Sequence, residues 1–569
     1  MEDLVVVGAG WNGLMMAKTY LAVNPSHKVT IVDGSSSIGG VWAKERLYPT
    51  LLTNNLLGTF EWSDFPMRPE TFGVKPGEHM SGEVVHEYLT SFAEKFDLTR
   101  RILLESKVKT VEYVAEDNTW ILTVESTNRQ SFTITAERLV IATGLTSEPN
   151  LPTFPGTDSF GQPIFHFADF GKHFSTTETT KKVAILGGAK SAWDAAYSYA
   201  AAGVQVDMII RKSGGGPHWM SPPYVTPFKL WLEKLVFTRF LMWFSPCIWG
   251  DADGFPRIRK FLHGTAFGRW LVDKYFVSSG KDTETLNEFD KHEEVKKLKP
   301  WTEAIWVGGM LSILNYPTNF FDLVKSGMIK VHIEDVVELS PGSIHLSNGE
   351  ALKVDLLCCA TGWKAVSSIK FLPAGIEKEL GLPHLDYEFE QDPLTVEADS
   401  QIVAQFPRLA NQPDWSTNGA RPAVDGTNLL TASRPFELYR FMIPPAFASR
   451  RNFGFCGMLM TISTPLISQT QALWLTAYFT GSIDPLSAQS LDAIKWETRL
   501  HNRFRRWRHP TALGLEFPDF IFDTIPYIDM LLHDLKLASH RKGNVLLEIF
   551  GSYGPKDYRG LVEEWLAIR

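Results

Sequence analysis

Three glycines near the start of the chain have the spacing of a phosphate-binding turn. Gly8, Gly10 and Gly13 follow the apolar segment Val5–Val7 and precede a segment of helical character. Gly8 suits a tight turn, Gly10 lets the backbone approach a pyrophosphate, and Gly13 lets a helix pack against a strand. A second apolar segment ends at Asp33, whose carboxylate is placed to accept hydrogen bonds from the hydroxyls of an adenosine ribose. Together these features predict a dinucleotide-binding βαβ unit.

A degenerate copy of this pattern begins at Gly187. Ala189 and Ala192 replace the other two glycines, and Lys190 and Ser191 would begin the following helix. A one-carbon side chain still permits a fairly close approach, and a helix N-terminus offers unpaired N–H groups to phosphates. We therefore predict that Gly187, Lys190 and Ser191 bind a second nucleotide.

The strand predicted after this second turn, QVDMIIR, ends at Arg211 and Lys212 instead of at an acidic residue. A carboxylate there would repel a 2′-phosphate, whereas Arg211 can pair with one through two hydrogen bonds. The first site is therefore predicted to prefer a free ribose and the second a phosphorylated one. This combination predicts a tightly bound FAD in the first site and NADPH in the second.

Each turn is followed later by an apolar strand that closes on Ala-Thr-Gly. These strands are RLVIATG and VDLLCCATG, and their ends add Ala142, Gly144, Thr361 and Gly362 to the predicted cofactor-binding residues. The repetition indicates two doubly wound units built alike. The predicted fold is therefore α/β, with two dinucleotide-binding (Rossmann-like) domains and a helical insertion.

The order of these motifs predicts how the 569 residues are divided. Residues 1–172 would form the first part of the FAD domain, and residues 173–362 an inserted NADPH domain with an aromatic-rich insertion at about 214–306. Residues 363–569 would return to the FAD domain and end in a helical segment. A chain of this length is too long for one ordinary core, which agrees with several domains.

Composition excludes several classes of function. A net charge of −8 and a pI near 6.0 argue against a nucleic-acid partner, which needs a basic face. The His, Cys and acidic residues show no metal-ligand spacing, so no metal site is predicted. The four cysteines form no CxxC, and we interpret them as buried thiols of a cytoplasmic protein.

Two apolar stretches need separate interpretation. Residues 452–483 contain no charged residue, but polar side chains in the middle of this run favour a buried strand and a helix over a membrane span. The stretch 235–249 is apolar on nearly all sides apart from Arg239. It could be buried, form the mouth of a site for a hydrophobic substrate, or rest weakly on a membrane surface.

Further motifs resemble the class B flavoprotein monooxygenases. GGVW at Gly39–Trp42 is similar to the GGxW flavin loop of this family, and YPTLLTN at Tyr48–Asn54 is similar to its YPxxxTN stretch. The segments Val85–Leu98 and Cys359–Trp363 also match, and the closest likeness is to fungal biosynthetic enzymes of the flavin-containing type. The resemblance implies that Asn54 contacts the flavin and NADP, and we predict it as the catalytic residue. It adds these residues to the predicted cofactor site: Gly40, Trp42, Thr53, Asn54 and Val108.

The chain departs from the Baeyer–Villiger branch of this family. FGQPIFHFADFG contains His166 and Phe170, but its glycine is displaced to position 161 and the expected Trp-Pro is missing. LSILNYPTNFF has Asn315 and no arginine where those enzymes carry an active-site Arg. Without that cation, a flavin peroxyanion that attacks a ketone would lack its stabiliser. The ester-forming reaction is therefore an alternative and not the first prediction.

The resemblance implies an NADPH-dependent oxidoreductase that oxygenates a lipophilic small molecule. It would use O₂ through a flavin C4a-hydroperoxide for N- or S-oxygenation, hydroxylation or epoxidation, in secondary metabolite biosynthesis. The alternatives are a Baeyer–Villiger monooxygenase that acts on a ketone, and a non-oxygenating flavin NADPH oxidoreductase or redox sensor. The substrate, the oxygenated atom and the oligomeric state stay open at this point.

Overall fold

A computed structural model describes residues 1–127, 130–225, 229–364, 367–413, 433–510 and 517–569. Its strands are β1 Leu4–Val7, β2 Val29–Val32, β3 Leu52–Leu56, β4 His79–Ser81, β5 Ile102–Leu103, β6 Ser106–Val114, β7 Thr119–Ser126, β8 Phe132–Ala136, β9 Leu139–Ile141, β10 Ile164–His166, β11 Lys182–Leu186, β12 Gln205–Ile210, β13 Trp219–Ser221, β14 Tyr224–Val225, β15 Leu230–Trp231, β16 Leu311–Ile313, β17 Ile329–Ile333, β18 Val336–Ser340, β19 Ser343–Leu346, β20 Ala351–Lys353, β21 Leu356–Cys359, β22 Lys370–Leu372, β23 His384–Leu385, β24 Ser433–Arg434 and β25 Phe453–Phe455.

The α-helices of the described residues occur before, between and after these strands. They are α1 Trp11–Val23, α2 Pro69–Phe72, α3 Gly82–Lys95, α4 Thr176–Thr179, α5 Lys190–Ala201, α6 Leu232–Val236, α7 Arg239–Met242, α8 Pro256–Gly264, α9 Ala266–Leu286, α10 Glu293–Lys296, α11 Phe320–Lys325, α12 Ile376–Glu379, α13 Pro393–Gln405, α14 Thr464–Phe479, α15 Pro485–Ala488, α16 Leu491–Arg508, α17 Thr524–Asp534, α18 Val545–Phe550 and α19 Leu561–Ile568.

Two five-stranded parallel sheets form the framework, and they are built alike. The first has the order β25-β9-β1-β2-β5 and the second the order β10-β21-β11-β12-β17. In each sheet, the central strand leads through a glycine turn into a helix, and the neighbouring strand follows that helix. This arrangement confirms the prediction of an α/β fold with two Rossmann-like domains.

The same close backbone contact occurs within each of the two units. A Cβ atom on Gly8 would lie 2.4 Å from the carbonyl oxygen of Ala142, and a Cβ atom on Gly187 would lie 2.5 Å from that of Ala360. Both glycines have positive φ, +116° and +149°. Each turn therefore needs glycine because it passes directly over the end of the Ala-Thr-Gly strand beside it.

The chain passes between the two sheets more than once. Strand β10 pairs with β21, so the chain enters the second sheet at Ile164, before the predicted boundary at residue 173. Strand β10 therefore belongs to the second sheet. After β21 the chain leaves the second sheet. Strand β22 pairs with β6, and β25 then pairs with β9 of the first sheet.

The aromatic-rich insertion at 214–306 contains helices α6 to α10, and its residues 226–228 lie outside the described part of the chain. Its apolar stretch 235–249 is mostly buried in the largest hydrophobic core. Arg239 is buried within that stretch and forms ion pairs with Asp529 of α17 and Glu548 of α18. The stretch 235–249 could have been buried, a substrate mouth or a membrane contact, and most of its residues are buried.

The uncharged run 452–483 forms strand β25 and helix α14, as predicted. Nearly every residue of α14 is buried, and the helix packs along α1 of the first nucleotide-binding unit. None of the helices in the described ranges combines the length and the apolar character that crossing a membrane would require.

Candidate functional site

A cleft of about 660 Å³ lies at the carboxyl ends of strands β1, β2 and β9. Parallel α/β sheets bind ligands at this edge, and the volume is in the range of small-molecule sites. The cleft brings together nine of the predicted residues, which are Gly8, Gly10, Asp33, Gly40, Trp42, Asn54, Val108, Ala142 and Gly144.

The glycines of the first turn have separate tasks. Gly10 lies next to Gly40, and a Cβ atom on Gly10 would lie at an ordinary contact distance, 3.6 Å, from the Cα atom of Gly40. Gly13 lies inside α1 and does not line the cleft. A Cβ atom on Gly13 would lie 1.8 Å from the carbonyl oxygen of Gly8, so this glycine is needed for packing the helix under the turn.

The Asp33 carboxylate lies at the end of β2 and holds the loops around it. Its Oδ2 atom accepts a hydrogen bond from the Ala9 N–H at 2.6 Å, and its Oδ1 atom accepts one from the Ser35 N–H at 2.8 Å. An ionised carboxylate can accept about four hydrogen bonds, so two further positions can serve a ribose diol. Asp33 therefore fits the predicted contact with the adenosine ribose.

Asn12 gives an independent test of whether the cleft fits a polar ligand. Its side chain lines the cleft at the start of α1, and a Cβ atom on Gly457 would lie 2.0 Å from its Nδ2 atom. Among the described residues, no hydrogen-bond partner lies within reach of the buried Asn12 Oδ1 atom. Because a buried polar atom without a partner is costly, this oxygen fits a donor on a bound nucleotide.

Asn54 occupies the middle of β3 with its side chain exposed in the cleft. Its neighbours are buried and fix the strand. The Thr53 hydroxyl donates to the Asn55 carbonyl at 2.7 Å and accepts from the Met80 N–H at 3.0 Å. Thr53 therefore supports the strand that carries Asn54, and its side chain does not line the cleft.

Asn55 connects this strand to the insertion and to the opposite wall of the cleft. Its Nδ2 atom donates to Glu233 Oε1 at 2.6 Å and to the Ile462 carbonyl at 2.8 Å. The Thr59 hydroxyl donates to Glu233 Oε2 at 2.6 Å. Burial raises the pKa of Glu233 to about 7, against the opposing effect of these hydrogen bonds.

Several residues of the cleft were not predicted. Arg46 lines it, donates to the Thr146 carbonyl at 3.1 Å and lies 5.1 Å from the ring centre of Trp363. Burial lowers the pKa of Arg46. The other wall is apolar and is formed by residues that are distant in sequence, namely Leu311, Leu459, Met460, Ile462, Ile467 and Ile521. No local sequence signal marks these positions, because they are brought together by packing alone.

The second nucleotide turn lies apart from this cleft. Gly187 precedes α5, which begins at Lys190, and Ser191 is half-buried in its first turn. The Lys190 ammonium contacts Asp194, donates to Asn315 Oδ1 at 2.8 Å and lies 3.3 Å from the Tyr316 hydroxyl. Its side chain is therefore held within the protein, and desolvation lowers its pKa. Only its backbone N–H remains in place for a phosphate.

The remaining predicted residues of the second site lie at strand ends. Arg211 and Lys212 follow β12 and are exposed to solvent. The Thr361 hydroxyl donates to the Asn150 carbonyl at 2.6 Å, and the Gly362 carbonyl lies 2.9 Å from His166 Nε2. None of these residues lines the first cleft.

Asn315 lies in the stretch where a Baeyer–Villiger enzyme is expected to carry an active-site arginine. It is buried and connects neighbouring segments through hydrogen bonds. Its Nδ2 atom donates to the carbonyls of Leu52 and Thr53, each at 3.1 Å, while its Oδ1 atom accepts from Lys190. It therefore ties the strand that carries Asn54 to the first turn of the second nucleotide-binding helix.

The predictions about metals and cysteines can also be compared with the structure. The part of the chain that the structure describes holds no group of His, Cys, Asp and Glu that could bind a metal ion. The cysteines are free and buried, as predicted, at positions 247, 358, 359 and 456.

Comparison with known proteins decides the family. The model of the pyridine nucleotide-disulphide oxidoreductase family matches residues 5–232. The FAD-dependent monooxygenase rstn6 of Aspergillus nomiae is 34% identical over an alignment that covers 100% of this chain and 99% of that protein. The chain belongs to the FAD-dependent monooxygenases. The predicted flavin cofactor, oxidoreductase chemistry and class B resemblance of this monooxygenase are thereby confirmed.

Solved structures of low sequence identity share the fold of this monooxygenase. Cyclohexanone monooxygenase of Rhodococcus sp. Phi1, bound to NADP⁺, superposes with a TM-score of 0.59 at 15% identity, over 94% of this chain and 97% of that one. S-allyl-L-cysteine S-oxygenase of Allium sativum gives 0.53 at 15% identity, over 94% and 89%. The same architecture is thus found in enzymes named for a ketone and for a sulfide.

Proposed function

We propose that this monooxygenase uses NADPH and O₂ to oxygenate a lipophilic small molecule in secondary metabolite biosynthesis. The observation that carries this proposal is the pairing of two nucleotide-binding turns with different ribose partners. The first has Asp33 at the end of its second strand, and the second has Arg211 and Lys212 there. Within a family that depends on FAD, the basic pair supports NADPH as the electron donor.

The residues around the cleft fit FAD. Gly8, Gly10 and the start of α1 would hold the pyrophosphate, Asp33 the ribose, and Asn12 and Asn54 the polar edge of the flavin ring. When bound, FAD would take up hydride from NADPH and supply the oxygen-activating chemistry of the reaction. The side-chain amide of Asn54 would orient the ring through a hydrogen bond at the point where the cleft meets its apolar wall.

The apolar wall supports a lipophilic substrate. Leu459, Met460, Ile462, Ile467 and Ile521 line the same cleft as Asn54. Such a wall excludes water from the reacting atoms and binds an apolar molecule by burial of its surface. N- or S-oxygenation, hydroxylation and epoxidation all fit this chemistry.

Oxygenation of a ketone to an ester is the second candidate. Its support is the position of His166, whose ring packs 5.2 Å from that of Trp363 beside the Gly362 carbonyl. Against it stands Asn315, which is buried in hydrogen bonds to β3 and Lys190 and offers no cation to the cleft.

Labelled dioxygen separates these reactions. The holoenzyme would be incubated with NADPH, isotopically labelled O₂ and, in turn, a dialkyl sulfide, a tertiary amine and a cyclic ketone. We expect one labelled oxygen atom in the sulfoxide or the N-oxide, measured by mass spectrometry. Labelled ester as the main product would favour the second candidate. Oxidation of NADPH without any uptake of O₂ would contradict both and favour a non-oxygenating reductase.

A cytoplasmic location remains a prediction. The buried cysteine thiols support a reducing compartment.

A further inference from the structure

Exposed aromatic side chains cluster on helices α8 and α9 of the insertion. Phe267 and Trp270 in the first turn and a half of α9 are 60% and 50% exposed, and their rings stack at 5.6 Å. Phe261 of α8 is also exposed, with its ring 6.3 Å from that of Phe267. Large apolar side chains that are exposed next to one another are typical of an interaction surface.

The cluster continues onto the C-terminal segment. The ring of Phe240 in α7 lies 5.2 Å from that of Phe550 in α18 and 5.7 Å from that of Phe244. Phe244 in turn lies 4.7 Å from Tyr275 of α9. Leu546, one helical turn before Phe550, is 69% exposed. Both groups include residues of α9, and we call their exposed residues and Leu546 the aromatic surface: Phe240, Phe261, Phe267, Trp270, Leu546 and Phe550.

Positive charge accompanies the aromatic surface. Arg257 and Lys260 are exposed on α8, and Lys274 of α9 is exposed with its Nζ atom 5.9 Å from the ring centre of Trp270. Within the described residues, none of these three cations forms an ion pair with a protein carboxylate. Residues 256–274 carry one acidic residue, Asp273, and it is paired with Arg408 at 2.7 Å.

This combination fits an anionic lipid surface better than a second copy of the chain. A two-fold contact centred on α8 would bring the α8 cations of one copy against those of the other. At an anionic bilayer, the rings enter the boundary between headgroups and acyl chains while the lysine and arginine side chains contact the headgroups. Both features of the surface then lower the free energy of binding.

We propose that the aromatic surface is the site at which this monooxygenase docks peripherally on membranes that contain anionic phospholipids. Docking is independent of the bound nucleotides, because the surface is formed by α7, α8, α9 and α18, none of whose residues lines the FAD cleft. It brings the enzyme to the compartment in which a lipophilic substrate accumulates.

Vesicle co-sedimentation of the holoenzyme tests this proposal. The vesicles would be phosphatidylcholine alone, or phosphatidylcholine mixed with phosphatidylserine. We expect binding to the mixed vesicles, weakened by high salt. The double variant Phe267→Ser/Trp270→Ser should bind them at least about tenfold more weakly, because it removes two apolar anchors. The double variant Lys260→Gln/Lys274→Gln should lose roughly tenfold on mixed vesicles and little on neutral ones.

A matched control is Tyr387→Ser, which removes an aromatic side chain that is 73% exposed elsewhere in the chain. It should bind vesicles like the wild type. Flavin absorbance and thermal unfolding would show that every variant is folded. Absence of binding, or binding equal on neutral and mixed vesicles, would overturn the proposal. So would a concentration-dependent dimer in light scattering that Phe267→Ser/Trp270→Ser abolishes, because the surface would then join two copies.

Discussion

Asn54 reaches the cleft because its neighbours on β3 are both buried and hydrogen-bonded. The strand holds Thr53 and Asn55 on the inner side, so the side chain between them projects outward into the site. The alternation is that of any β-strand, but here it presents one amide at the junction of the nucleotide cleft and the apolar wall.

Replacement of Asn54 by alanine should uncouple NADPH oxidation from oxygenation. Loss of one orienting hydrogen bond, of roughly 1.4 kcal/mol, should lower product formation about tenfold and raise the share of NADPH that yields hydrogen peroxide. Flavin content should stay unchanged. Asn348→Ala, at an exposed turn, is the control. If Asn54→Ala forms as much product per NADPH oxidised as the wild type does, Asn54 has no role in the reaction.

Glu233 should make the stability of the protein depend on pH in a specific direction. Its pKa is raised from 4.5 to about 7, so the folded state binds the proton more tightly than the unfolded state does. The free energy of unfolding that Glu233 contributes is therefore greatest at low pH, and is lost as pH rises from about 4.5 through about 7.

Glu233→Gln isolates this contribution, because glutamine keeps the shape and cannot ionise. We expect the difference in unfolding free energy between wild type and variant to shift against the wild type as pH rises from 4.5 to about 7. Urea denaturation at a series of pH values measures it. A difference that is constant across this range would show that Glu233 does not titrate there.

Gly10 and Gly13 belong to one motif but should fail in different ways. Gly13→Ala places a methyl group against a backbone oxygen, so it should destabilise the apoprotein by about 3 kcal/mol. Gly10→Ala has room in the protein and should leave apoprotein stability unchanged while weakening FAD binding at least about tenfold. Urea denaturation and flavin titration measure the two effects. Equal destabilisation by both substitutions would contradict this division.

The helices and strands show which parts of the site a sequence can reveal. The turn from β1 to α1 and the carboxylate at the end of β2 are local patterns, because glycine spacing and strand length alone place Gly8, Gly10 and Asp33. Arg46, Met460 and Ile521 come from three separate segments that meet only after folding, so nothing near them in sequence marks them. For Lys190 the phosphate contact stays a prediction, and the folded structure adds contacts of its ammonium group with Asp194 and Asn315 that the motif did not indicate.

The insertion is joined to the C-terminal segment by a buried ion pair, and that pair should be essential for stability. Arg239 of α7 donates to Glu548 Oε1 at 2.6 Å and contacts Asp529 of α17. Arg239→Met would leave two buried carboxylates without their cation and should cost about 3–5 kcal/mol in unfolding free energy. The control is Arg100→Met, whose pair with Asp97 is exposed and should matter little. A small effect of Arg239→Met in thermal or urea unfolding would contradict this account.

The molecule repeats one architecture for two different nucleotides. The sheets share the order of four strands, β9-β1-β2-β5 and β21-β11-β12-β17, and the glycine contact with the Ala-Thr-Gly strand. The residues at the second strand end differ, Asp33 in one and Arg211 in the other. Asn315 and Lys190 tie the two units together beside Asn54. These contacts connect the first turn of α5 to the strand that carries Asn54.

The measurement that tests this account most directly is anaerobic reduction of the enzyme-bound flavin by NADPH and by NADH, followed at the absorbance band of the oxidised flavin. We expect rapid bleaching by NADPH, at least about tenfold more efficient than by NADH, and loss of that preference in Arg211→Gln. Flavin that NADPH does not reduce, or that NADH reduces equally well, would contradict it.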